Sequence, residues 1–126
     1  MRAITLIVVF VSFHVLSNAQ DTKVFDEIAN LFKKNDVAAI SDKFAETLDL
    51  SIGSTDGTFG KQQASVVFKE FLSNNKIESF KIKHKGASNK RTQYSISEMK
   101  SRAKVWSVYV LINTNNKITQ LQIEEE

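Results

Sequence analysis

Phe80-Lys81-Ile82-Lys83-His84-Lys85 alternates apolar or ring-bearing residues with lysines at a period of two, the pattern of a β-strand with one wet face. Three further runs rich in Ile, Val, Tyr, Phe and Thr follow: Thr92 to Met99, Val105 to Asn113 and Lys117 to Glu124. Polar connectors separate them, Gly86-Ala87-Ser88-Asn89-Lys90, Lys100-Ser101-Arg102 and Thr114-Asn115-Asn116. Connectors this short favour antiparallel pairing, because a parallel pair needs a crossover of about a dozen residues. The second half of the chain therefore reads as a four-stranded meander.

Upstream the period is helical. Val24, Phe25, Ile28, Leu31 and Phe32 recur at three- and four-residue spacing, with Asp21 or Thr22 as cap, Asp26 and Glu27 near the start and Lys33-Lys34 at the end. Asp36 caps a second, shorter helix through Val37, Ile40 and Phe44. Leu48, Leu50 and Ile52 then alternate as a strand, Gly53-Ser54-Thr55-Asp56-Gly57 turns, and Thr58-Phe59 returns. After Gly60, Ala64, Val67, Phe68, Phe71 and Leu72 mark a third helix ending at Asn74-Asn75. The order α-α-β-β-α-β-β-β-β predicts an α+β domain, with three helices in the N-terminal half packed on a curved, mostly antiparallel sheet.

The first residues read as a leader. Arg2 precedes the uncharged apolar run Ile4 to Leu16, and Ser17-Asn18-Ala19 sets small residues before Gln20. The run falls short of the roughly 18–20 apolar residues that cross a bilayer. The expectation is a signal peptide over 1–19, a single domain over 20–126, no membrane span after cleavage, and a secreted or periplasmic product. With no cysteine in 126 residues, disulfides, thiolate metal sites and cysteine nucleophiles are closed, and the core alone must hold the fold. Of the two histidines, His14 falls in the leader, which leaves His84. Residues 81 to 104 carry Lys81, Lys83, Lys85, Lys90, Arg91, Lys100, Arg102 and Lys104 against Glu98 alone, whereas the remainder of 20–126 is acidic.

Phe71-Leu72-Ser73-Asn74-Asn75-Lys76-Ile77, then Phe80 to Gly86, closed by Gln120-Leu121-Gln122-Ile123-Glu124, resembles a family of small secreted Bacteroidetes proteins classed as a domain of unknown function. The resemblance spans the chain after the leader and implies the nuclear-transport-factor-2-like cone fold. Relatives on that fold include isomerases, dehydratases and noncatalytic binding modules, so the fold does not choose an activity. The family pattern often has a basic residue where this chain has Trp106-Ser107-Val108, so no pocket cation carries over.

Strand parity sets Phe80, Ile82 and His84 on one face and Lys81, Lys83 and Lys85 on the other, which predicts an imidazole inside the cone and ammonium groups outside. His84 is then either a satisfied core histidine or a ligand contact or general base. Tyr94, Glu98, Ser107 and Gln122 are its candidate neighbours: His84, Tyr94, Ser107 and Gln122 for ligand binding, and His84 with Tyr94 or Glu98 for any acid–base chemistry. No catalytic set, metal site or cofactor motif assembles, since Gly57-Thr58-Phe59-Gly60 is too short for a dinucleotide fingerprint and Asp49 and Asp56 lack calcium-loop spacing. The favoured reading is a noncatalytic binding module for a small ligand, glycan or protein. The alternatives are a small isomerase- or dehydratase-like enzyme using a pocket histidine, and an anionic-polymer binder using Lys81, Lys83 and Lys85. Nucleic acid is disfavoured because nothing aromatic alternates with these lysines on their own face. Trp106, Val108, Val110 and Ile112 form one apolar row and Val105, Tyr109 and Leu111 most of another, so both faces of that strand ask for burial. A homodimer through the sheet face, or a C-terminal tail folded over it, would supply the cover.

Overall fold

Val24, Phe25, Ile28, Ala29 and Phe32 are all buried along one stripe of α1 (Lys23–Lys33), the first element of the computed structural model, which describes residues 23–126. The leader over 1–19 and the caps Asp21 and Thr22 lie outside the described residues. α1 closes where Asn35 takes a left-handed φ of 54°, its N–H donating to the Phe32 carbonyl at 3.0 Å and that of Asp36 to the Leu31 carbonyl at 3.0 Å. The Asn35 side chain then pins a distant segment. Its Nδ2 donates to the Ile77 carbonyl at 3.0 Å, and its Oδ1 accepts from the Ile77 N–H at 2.8 Å. Asp36 caps α2 (Val37–Asp42) as the sequence predicts, accepting from the Ala39 N–H at 3.1 Å. Phe44, read as part of that helix because it sits four residues after Ile40, instead opens a strand. The Lys43 N–H already closes the helix on the Ile40 carbonyl.

The remaining elements follow the predicted order: β1 (Phe44–Ile52), β2 (Thr55–Gly60), α3 (Lys61–Asn74), β3 (Ser79–Asn89), β4 (Thr92–Ser101), β5 (Lys104–Ile112) and β6 (Ile118–Glu125). The strands make one curved sheet in the order β2-β1-β6-β5-β4-β3, antiparallel except where β1 runs parallel to β6. The predicted connectors are narrower than they read. Gly86 to Asn89 continues β3, and Arg102-Ala103 alone turns β4 into β5. Both turn residues have positive φ, 52° and 60°, which is the twist that a two-residue hairpin needs. Arg102 is held there by Nη1 donating to the Asn74 carbonyl at 3.1 Å, but Ala103 has its Cβ in a region that glycine occupies without strain.

The helices cover one face of the sheet. Leu48, Leu50, Ile52, Met99, Trp106, Val108, Val110, Ile112, Leu121 and Ile123 project beneath them, and all are buried. Phenylalanines join the layers: Phe44 of β1 meets Phe68 of α3 edge-on at 5.8 Å, Phe68 meets Phe32 of α1 edge-on at 5.7 Å, and Phe32 stacks on Phe80 of β3 at 4.6 Å. The chain of rings crosses from a strand near one edge of the sheet to the opposite edge strand.

Phe32→Ala opens a cavity at the middle of that chain and is expected to cost about 3–5 kcal/mol, read as a fall in the urea midpoint. Ala103→Gly relieves the turn and is expected to raise stability by about 0.5–1 kcal/mol in the same measurement.

Candidate functional site

β3 does not keep its parity. Ile82 registers with Ser97 of β4, and two residues later His84 registers with Ile96, the next residue of β4 and on the opposite face, so Lys83 is the extra residue of a β-bulge. Everything after it changes sides. Phe80 and Ile82 face the helices as expected, but His84 lies exposed on the uncovered outer face, and Lys85 turns inward, its Nζ 3.1 Å from Asp26 Oδ1 on α1. The expected imidazole inside the cone is therefore corrected to one outside. The row Lys81, Lys83 and Lys85 is likewise split, with Lys81 and Lys83 on the outer face beside Glu98 and Lys85 spent on α1.

On the outer face His84 and Tyr94 do come together. His84 Nε2 lies 2.9 Å from Tyr94 Oη, with ring centroids 5.6 Å apart. Tyr94 leans across β3 because Gly86, its partner in register, has no side chain; a Cβ there would stand 2.8 Å from Tyr94 Oη. Behind Tyr94, the ring of Tyr109 on β5 lies near-parallel at 21° and 5.9 Å, so a row of three rings crosses β3, β4 and β5. Burial first, and the neighbouring Tyr94 second, raise the Tyr109 pKa above the usual tyrosine value.

Of the other candidates, Gln122 alone adjoins this row, in register with Tyr109. Glu98 faces Lys83 at 3.9 Å, Ser107 sits opposite Glu98 on β5, and Gln122 sits opposite Tyr109 on β6, all on the outer face. None of the five principal clefts is lined by His84, Tyr94 or Glu98. Tyr109 and Gly86 were not singled out from the sequence. From the sequence Gly86 reads as the start of a connector and Tyr109 as part of a row asking for cover, and only the tyrosines on two successive strands hint that they meet. Among the described residues no three His, Asp or Glu side chains gather as metal ligands, and no helix is long and apolar enough to cross a membrane.

The family model described as Domain of unknown function (DUF4783) matches residues 25–124. The chain belongs to that family. A DUF4783 family protein from Bacteroides uniformis is similar to it, with a TM-score of 0.71 at 22% identity, covering 79% of this chain and 94% of that one. A second, from Bacteroides fragilis, gives a TM-score of 0.70 at 22% identity over 79% and 95%. An NTF-2 like protein of unknown function from Burkholderia xenovorans gives a TM-score of 0.64 at 8% identity over 82% and 80%, which places the DUF4783 chain on the nuclear-transport-factor-2-like fold. No curated protein matches it.

Two outcomes check the ring row. Gly86→Ala is expected to push Tyr94 off β3 and abolish the proton–proton contacts between the His84 and Tyr94 rings in NMR, with the fold kept. Tyr94→Phe is expected to lower the Tyr109 pKa toward the unfolded value of roughly 10, read from phenolate absorbance. Because the folded value is the raised one, the stability that Tyr109 contributes is full below the unfolded pKa and is lost as pH climbs through the folded one.

Proposed function

We propose that this DUF4783 chain is a secreted or periplasmic, noncatalytic binding module that presents the outer face of its sheet to a protein partner, and that a second copy of the chain fits that face best. The observation that carries the reading is the half-exposed centre of the face, Tyr94, Ile96, Tyr109 and Leu111, left open among the described residues because α1, α2 and α3 lie on the other side. Ile118–Glu125 does not fold over it, since that segment forms β6 between β1 and β5. Charge supports a self-pairing. Lys81, Lys83 and Lys100 stand on the β3–β4 side of the centre, whereas Asp49, Asp56 and Glu124 stand on the β6–β1–β2 side. A two-fold axis running along β5 sets each basic side over the partner's acidic one.

A pocket enzyme fits less well. His84 and Tyr94 meet on open surface, and Glu98 is held by Lys83 rather than by the imidazole. An anionic-polymer site loses Lys85 to Asp26 and has Glu98 beside the two lysines that remain.

Sedimentation equilibrium is expected to show a dimer at micromolar concentration. Ile96→Glu and Tyr109→Glu, both on the outer face, are each expected to weaken it by about tenfold or more while circular dichroism is unchanged. A monomer at every concentration would overturn the dimer.

A further inference from the structure

The bulge at Lys83 turns His84, the one imidazole among the described residues, onto the outer face at the basic edge of the sheet. Its surroundings within the chain are mostly cationic. Lys81 and Lys83 flank it on β3, Lys90 and Arg91 stand exposed at the hairpin tip, and the nearby carboxylate, Glu98 of β4, is drawn to Lys83 at 3.9 Å. Lys85 pairs with Asp26 of α1 on the far side of β3. Tyr94 of β4 holds the ring through Nε2 at 2.9 Å, with Tyr109 of β5 behind it, and Nδ1 has no partner among the described residues.

Strand register fixes what a second copy brings to this ring. His84, Ile96, Tyr109, Gln122, Ser51 and Asp56 lie on one line across β3, β4, β5, β6, β1 and β2. With the two-fold axis along β5, β4 lies over the partner's β6 and β3 over the partner's β1, so His84 comes to rest over the partner's Ser51. The partner's Asp49, two residues along that strand, and the partner's Asp56, in register with Ser51 on the next strand, then flank it. Both carboxylates are exposed, and neither has a cationic partner among the described residues. Asp49 Oδ1 accepts the Thr58 hydroxyl at 2.7 Å.

We propose that protonation of His84 tightens this dimer, so that the pairing of two copies responds to acid; the inference rests on the self-pairing proposed above and adds its regulation. Imidazole is the side chain that ordinarily changes charge between about pH 8 and 5, a range through which carboxylates keep theirs. The sign follows from the two environments. In a lone chain the new charge stands among lysines, which oppose it, whereas in the pair it stands against carboxylates that lack a cation, which favour it. A proton therefore binds the dimer more firmly than the monomer, and by linkage the dimer holds more firmly where the proton is bound. The protonated ring also carries an N–H at each nitrogen. That on Nε2 donates to Tyr94 Oη, and that on Nδ1 is left for the partner's carboxylate. Two-fold symmetry makes the contact twice, so two protons act on one association.

Sedimentation equilibrium of the full protein at about pH 8 and about pH 5.5, at constant ionic strength, tests the link. The dissociation constant of the dimer is expected to fall by about tenfold or more toward the acid side. His84→Gln is expected to remove that difference, and His84→Lys, a fixed charge at the same place, to give the tighter value at both pH values. Asp49→Asn is expected to shrink the difference. A dimer that holds equally at both pH values, loosens in acid, or keeps its full response in His84→Gln would overturn the proton's role and leave the self-pairing standing. A monomer at both pH values would overturn the self-pairing itself, and the proton's role with it.

Discussion

The stacking of Phe32 on Phe80 at 4.6 Å, continued edge-on through Phe68 to Phe44, is what the rest of the molecule hangs from. A chain with no cysteine has no covalent staple, so burial of apolar surface must close the domain. The four rings join α1, α3, β1 and β3 into one core. With the interior filled this way, the row of His84, Tyr94 and Tyr109 stands on the open sheet face.

Much of this was legible in residue order. The order and types of the described elements are legible from period together with the turn residues between them, because β4 and β5 keep their buried residues two apart and α1 and α3 keep theirs three and four apart. The Asp36 cap was legible for the same reason, an acceptor side chain placed just before an apolar stripe. The end of α2 was not, since Phe44 continues the helical spacing from Ile40 and nothing local says that the chain has straightened.

The face of His84 was hidden by a subtler feature. Lys83 is the bulge residue, and Lys81-Ile82-Lys83-His84-Lys85 alternates without a break, so a count of two runs straight through the position where the backbone gains a residue. Inside the sheet the slip is plain: Lys85 finds Asp26 on α1, and His84 finds Tyr94 outside. A bulge is set by pairing with a neighbouring strand, which a single strand's own pattern does not encode. Gly86 gave a partial clue, since a glycine within a β-run marks a place where something else approaches the backbone.

The parallel pairing of β1 with β6 has a consequence for how the chain comes to exist as a folded body. β6, made after the other five described strands, is a central one, with β2-β1 on one side and β5-β4-β3 on the other. Until Ile118–Glu125 is available the sheet is two unconnected ribbons, each with a bare edge that water must satisfy. Completion waits for that segment, and the sheet is finished from its middle outward: a nick just ahead of Ile118 removes the keystone and not the fringe.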